Sequence, residues 1–162
     1  MDNNRAKQRS YNMSQIRGKD TKPELFVRRL LWSMGHRYRL HYNKLPGKPD
    51  IVFIGKKKAV FVHGCFWHRH DCPNFVWPKS NELFWQEKIE GNVERDNKNQ
   101  KKLLENGWGF LIIWECAIRN LWKKNSEDKL NEFVFYLNEF LDDKFQTPME
   151  MNTEGISILN EV

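Results

Sequence analysis

Nothing in this 162-residue chain approaches the roughly 18 consecutive apolar residues of a membrane-spanning helix, so no membrane partner is expected. Cysteine is scarce, and the three present cannot all pair within one chain. Met1–Ser10 is polar and basic and lacks the apolar core of a secretory signal. Both observations argue against a secreted disulfide scaffold and for a reduced, cytoplasmic setting. Internal repeats, low-complexity tracts and Gly/Ser-rich linkers are missing too, so residues 1–162 are expected to form a single domain.

What the chain does have is positive charge and aromatic rings. Lys and Arg number 27 against 21 Asp and Glu, a formal net charge of +6 with a pI near 9.2. Such a surplus fits a polyanionic partner, and it is also a common solubility device. Seven Trp, eleven Phe and four Tyr make the chain 14% aromatic. A chain of this length should bury about 70% of its unfolded surface, and many of these rings must fill that core. Aromatics beside basic residues also suit base stacking and wedging into DNA.

Residues 1–20 carry Arg5, Lys7, Arg9, Arg17 and Lys19 around Tyr11, Met13 and Ile16, too few apolar positions for this arm to bury itself. It reads either as a solvated basic tail or as an arm that tracks DNA. A helix should begin at Thr21, because Thr21-Lys22-Pro23-Glu24 is a capping box with proline in the first turn; Gly35 offers its stop. Tyr38–Tyr42 reads as a short strand. Asp50–Ile54 and Ala59–His63 read as a hairpin joined by Gly55-Lys56-Lys57-Lys58. A long helix is expected over Glu82–Asn106, with an inner stripe of Trp85, Ile89, Val93, Asp96, Gln100 and Leu103. Phe110–Trp114 is a continuous apolar run, as in a strand buried on both faces. Ser126–Leu141 is a last amphipathic helix, and residues 142–162 form a tail with an edge strand at Gly155–Leu159. The order helix, three strands, helix, strand, helix is that of an α/β fold around a mixed sheet.

The chemistry concentrates in His63-Gly64-Cys65-Phe66-Trp67-His68-Arg69-His70-Asp71-Cys72, which holds three of the five histidines and two of the three cysteines. In a reduced protein such clustering favours zinc, which needs four soft or borderline donors. The third cysteine, Cys116, follows the buried strand and reaches the loop if that strand lies beside Ala59–His63. Cys65, Cys72, Cys116 and His70 would then close a Cys₃His site; free buried cysteines with surface histidines are the bland reading. Asp50 follows Lys48-Pro49, and Pro-Asp alone more often marks a turn; at the mouth of a strand, however, its carboxylate is a natural Mg²⁺ ligand, since hard cations prefer oxygen donors, and the hairpin returns His63 and the Val62 carbonyl beside it. Asp96 stands on a stripe that faces the sheet, so it needs a cation, a histidine or a core Arg or Lys as partner. Glu24 has a capping role that needs no chemistry.

Laid out in order, Leu45-Pro46-Gly47-Lys48-Pro49-Asp50, Phe61-Val62-His63-Gly64-Cys65-Phe66-Trp67-His68, Phe84-Trp85-Gln86-Glu87-Lys88-Ile89, Asn92-Val93-Glu94-Arg95-Asp96 and Ile113-Trp114-Glu115-Cys116-Ala117 resemble the very short patch repair (Vsr) mismatch endonucleases. Asn12-Met13-Ser14-Gln15-Ile16 matches as well, and the likeness spans roughly residues 8–122. The resemblance implies a restriction-endonuclease-like core that hydrolyses one phosphodiester 5′ of the mismatched thymine in T·G pairs left by 5-methylcytosine deamination. It implies Mg²⁺ at Asp50 with the main-chain carbonyl of Val62, and His68 as general base or water-positioning group. Supporting groups match Glu24, His63 and Asp96, and structural zinc ligands match Cys65, His70, Cys72 and Cys116. An aromatic wedge matches Phe66, Trp67 and Trp85, opposed by Met13, with Lys88 and Asn92 near the mismatched bases. It further implies a monomer on double-stranded DNA in the bacterial nucleoid, with mismatch-repair accessory proteins as partners.

The chain departs from the pattern at Arg69, where the family's run has another histidine, at Asp71 before Cys72, and at Glu90-Gly91, which adds a charge near the DNA. Val62-His63 stands where other nucleases of this core carry Glu-x-Lys. Two other readings remain: a restriction-type endonuclease of the same core that cuts both strands, and a non-catalytic zinc-stabilised DNA-binding module.

Overall fold

The computed structural model describes Lys7, Tyr11, residues 18–124 and residues 126–160; Met13 and most of the basic arm lie outside them. Helix α1, Lys22–Ser33, starts where the capping box places it: the Glu24 N–H donates to Thr21 Oγ1 at 3.4 Å, and Pro23 sits in the first turn. Its inner face buries Val27 and Leu31 completely. Truncating Leu31 to alanine should cost about 2–5 kcal/mol. Strands β1 (Arg39–Leu40), β2 (Ile51–Phe53) and β3 (Lys58–His63) form an antiparallel meander, with Ile51 opposite Val60.

The β2–β3 connection differs from the expected four-residue turn. A single 3₁₀ turn spans Ile54–Lys56, Lys57 takes a left-handed φ of 51°, and Lys58 already belongs to β3. The Lys58 side chain is buried and reaches Asp143 at 2.9 Å. Local pattern reads a lysine run as a solvated turn; a carboxylate 85 residues away makes this one an interior ion pair.

Helix α2, Glu82–Glu105, crosses one face of the sheet and stops at Asn106. Strand β4, Gly109–Trp114, is buried throughout and pairs parallel with β3 from Lys58–Gly109 to His63–Trp114. Two elements escaped the sequence reading. Helix α3, Glu115–Lys124, follows β4 without a loop, and β5, Met149–Asn152, pairs parallel with the other edge of β4. Between them lies α4, Glu127–Asp142, capped by Ser126. The expected edge strand is present as β6, Gly155–Ile158, antiparallel to β5.

Among the described residues six strands run in sequence order in one mixed sheet. Alternation along β3 and β4 divides the core. Val60, Leu111 and Ile113 pack with Val27 and Leu31 of α1 and with Phe133, Leu137 and Phe140 of α4. Ala59, Phe61, Phe110, Ile112 and Trp114 pack with Leu103 of α2, with Cys65 and Cys116 at one end. Among the described residues no helix is long and apolar enough to cross a membrane.

Candidate active site

The sheet delivers its chemistry at one end, where β3 and β4 run out side by side. The ladder between β2 and β3 closes at Ile51–Val60, and just before it Asp50 turns its carboxylate to the β3 backbone. The Val62 N–H donates to Asp50 Oδ2 at 2.8 Å. In an antiparallel strand the N–H and C=O of one residue face the same side, so the Val62 carbonyl lies on Asp50's edge. Gly47, in the turn leading to Asp50, has a φ of +76° and lies against Phe61; a Cβ there would stand 3.2 Å from that ring and from Asn99. Glycine thus lets the turn close over α2 and β3.

Burial pushes the Asp50 carboxyl up to about 6 and Glu24 adds to the shift, while the Val62 N–H, His41 and Arg28 oppose it. Glu24 is both a cap and a neighbour of this group. Its carboxylate accepts from the Asp20 N–H at 2.9 Å, the Thr21 hydroxyl at 3.2 Å and Arg28 Nη2 at 2.9 Å, and it lines the same cavity as Asp50. Two carboxylates on one cavity wall, one of them held above its ordinary range, suit an oxygen-seeking divalent cation.

His63 ends β3 and stacks on His68, with centroids 3.7 Å apart and planes 6° apart. Burial, with His68 alongside, drives His63 well below the ordinary histidine range, so it is a neutral ring at pH 7. The tight turn that bonds the His68 N–H to the Gly64 carbonyl at 3.2 Å folds His68 back over the strand end. There His68 Nδ1 makes a short hydrogen bond with Asp96 of α2. With a carboxylate on that side the proton belongs on Nδ1, which leaves Nε2 as an acceptor. The inner-stripe position of Asp96 therefore has its histidine partner.

A cavity of about 230 Å³ is lined by Asp50, Val62, His63, His68 and Asp96, with Arg95 and Lys48 at its rim. A larger one of about 870 Å³ shares Glu24, Val62, His63 and His68 with it and extends to Trp67, Arg119 and Lys123. The aromatics stand beside this opening. Phe66 and Trp67 are half-buried and absent from both core clusters. They form a triangle with Trp85 at ring separations of 5.2, 5.5 and 6.0 Å. Lys88 is exposed on α2, whereas Asn92 is buried, and its amide donates to the Trp67 carbonyl at 3.0 Å.

The Cys/His cluster forms on the α2 side of the sheet. Ligand atoms of Cys65, His70, Cys72 and Cys116 all lie within 4.8 Å of one another. The parallel pairing of β3 with β4 does this by ending both strands at the same level, with Cys65 and Cys116 each two residues beyond the His63–Trp114 pair. Cys116 Sγ is 3.5 Å from His70 Nδ1. Tetrahedral bonds of about 2.3 Å to sulfur and 2.0–2.1 Å to nitrogen would separate the two donors by about 3.6 Å, so the donor set fits zinc. The thiols share protons: the bond to Cys116 and burial push Cys65 up, while that same bond lowers Cys116. His70 lies flat on Trp114 at 4.3 Å, which fixes its ring.

Arg28, Asp20 and His41 were not singled out from the sequence. Glu24 and Arg28 stand four apart on α1, a spacing that signals a helix ion pair, but surface pairs of this kind are too common to point to a site.

The family model described as DNA mismatch endonuclease Vsr matches residues 1–74. The type II nicking enzyme V.XorIIP of Xanthomonas oryzae pv. oryzae is 47% identical over 113 residues, 70% of this chain and 83% of its own. V.NmeAIP of Neisseria meningitidis, another type II nicking enzyme, is 45% identical over 126 residues, 78% of this chain and 89% of its own. The DNA mismatch endonuclease Vsr of Escherichia coli is 42% identical over 129 residues, again 78% of this chain and 83% of its own. With that identity over most of each relative's length, this chain belongs to the Vsr family of DNA mismatch endonucleases.

Proposed function

We propose that this endonuclease nicks one strand of duplex DNA on the 5′ side of the thymine in a T·G mispair, using Mg²⁺ at Asp50 and a structural zinc. The observation that carries the reading is the meeting of Asp50, Val62, His63, His68 and Asp96 on one cavity beside the half-buried rings of Phe66, Trp67 and Trp85. A zinc-stabilised binding module would need the cysteines and the aromatics, but not a carboxylate and a carboxylate-backed histidine across a cavity.

Asp50 and the Val62 carbonyl would hold the Mg²⁺, with Glu24 on the same wall. When bound, that ion neutralises charge developing on the phosphoryl oxygens. His68 accepts the proton of the attacking water at Nε2, and Asp96 fixes the ring and stabilises its charged form. Stacked His63 stays neutral and keeps the imidazole from swinging away. Phe66, Trp67 and Trp85 enter the base stack at the mispair, where unstacking costs least and weak pairing becomes specificity. Met13 of the arm, which lies outside the described residues, would oppose them, and Lys88 is free to meet a phosphate. Cys65, His70, Cys72 and Cys116 would hold zinc with no position left for water, so the ion braces the loop that carries Phe66 and Trp67.

The test is a pair of labelled duplexes, one T·G and one T·A, incubated with Mg²⁺ and run on a denaturing gel. Nicking confined to the thymine strand of the T·G duplex and abolished by EDTA is expected. Cleavage of both strands would make this a restriction-type enzyme, and binding without cleavage would make it a module.

A further inference from the structure

Behind Asp50 stands a charged side chain that the reading above does not use. Asp20, Glu24 and His41 bring ligand-type atoms within 4.8 Å of one another, an oxygen-and-nitrogen set that suits a divalent cation. Arg28 bonds to all three. Its Nη1 donates to Asp20 Oδ1 at 2.6 Å, and its Nη2 lies 2.9 Å from Glu24 Oε2 and 3.0 Å from His41 Nε2. Arginine has no acceptor, so His41 Nε2 accepts in this arrangement. Arg28 is buried, and among the described residues its Nε has no partner. A buried guanidinium with an orphaned donor is tolerated where the fork itself is needed: here its two arms tie Glu24, on the cavity wall, to Asp20 just ahead of α1.

We propose that Arg28 is a positioning residue, the resident cation of the Asp20–Glu24–His41 cluster, which aims Glu24 at the Asp50 site and keeps a second divalent cation out of the neighbouring cluster. The proposal rests on the reading of Asp50 as the metal-holding carboxylate. Neutralising Arg28 leaves three ligand-type groups with no cation among them and takes from Glu24 the charged one of its three donors, leaving the Asp20 N–H and the Thr21 hydroxyl to hold it more loosely. The effects separate: an added metal in the cluster, and a misaimed carboxylate at the site.

The experiment counts Mn²⁺ bound per full-length chain by calorimetric titration without DNA, and measures nicking of a T·G duplex with Mg²⁺. Arg28→Gln should bind one Mn²⁺ more than the wild type. Its rate at saturating DNA should fall on the order of tenfold or more, with the half-saturating DNA concentration little changed, because a supporting group rather than a DNA contact is lost. Arg28→Lys should keep the wild-type count and recover part of the rate, since lysine supplies the charge without the fork. Either a wild-type count or a wild-type rate in folded Arg28→Gln overturns the proposal. Should that variant not fold, Asp20→Asn, a change at an exposed residue, decides: a rate lowered severalfold at unchanged melting temperature supports the proposal, and a wild-type rate overturns it. A wild-type protein that never nicks a T·G duplex would sink the functional reading, while the Mn²⁺ count would still judge Arg28 as the cluster's cation.

Discussion

Replacing Asp50 by asparagine should stabilise the metal-free protein and abolish its response to Mg²⁺. The carboxyl stands at about 6 against an ordinary 3.8, chiefly because folding takes it out of water. At 1.36 kcal/mol for each tenfold change in proton affinity, the ionised carboxylate costs the folded state up to about 3 kcal/mol, an upper bound for a group that lines an open cavity. Between pH 3.8 and 6 the folded chain holds this proton and the unfolded chain does not, so stability is lost as pH rises through that window. Asparagine has no proton to lose and still accepts from the Val62 N–H. In EDTA the two proteins should therefore melt together near pH 4. By pH 7.5 the variant should melt several degrees higher, at about 2–4 °C per kcal/mol for a chain of this size. His63, which destabilises the fold as pH falls and its buried ring must charge, is common to both and drops out of the difference. Millimolar Mg²⁺ should then raise the wild type alone. Scanning calorimetry across pH with and without Mg²⁺ is the assay, beside a gel in which the variant binds T·G duplex but does not nick it. A variant no more stable than the wild type at pH 7.5, or one that gains equally from Mg²⁺, refutes the argument.

Cys116→Ser should lose zinc by elemental analysis and lower the melting temperature before it touches chemistry; full activity in wild-type protein shown to contain no zinc would remove the metal from the account. His68→Ala should slow single-turnover nicking on the order of 10²–10⁴-fold with T·G binding intact, and Asp96→Asn should fall short of that because the ring remains; near-normal turnover in His68→Ala would move the base elsewhere, and in Asp96→Asn would remove Asp96 from the account. Trp67→Ala should weaken binding to T·G duplex by about 1–3 kcal/mol, with matched duplex and thermal stability little changed. A loss of about 3–5 kcal/mol in folding with the mismatch preference kept would make Trp67 a core residue instead.

Where a local signal decides the structure, the sequence could be read to within a residue or two: the Thr21 capping box, the helix end at Asn106, the all-apolar β4. β5 could not. Met149-Glu150-Met151-Asn152 has neither β-branched nor aromatic residues and is a strand because β4 offers it a free edge. α3 was missed for the opposite reason: its apolar positions continue a run that already reads as strand, and its Glu115–Arg119 pair is an ordinary helix spacing. The Cys/His cluster was legible because cysteines are rare, and the place of Cys116 in it only on the condition, met by the parallel register, that β4 lies beside β3. Arg28 was not, because its meaning comes from His41 and Asp20, brought together only by the tertiary fold.

The least legible feature joins the proposed wedge to the proposed base. Trp67 and His68 are neighbours in the chain, and each is held by α2: Asn92 bonds the Trp67 carbonyl, and Asp96 the His68 ring. Asn92 and Asp96 are four residues apart, one turn of one helix, and so share a face. Arg95 braces Asn92 at 3.0 Å on the same turn. If Trp67 enters a base stack, a push on its ring would therefore be taken up by the same helical turn that sets the His68 acceptor. A matched duplex that resists the wedge would strain this turn and turn His68 away from the phosphate. Discrimination then acts on the rate as well as on binding, and Asn92→Ala should narrow the T·G preference in nicking rate even where it leaves the affinity ratio unchanged.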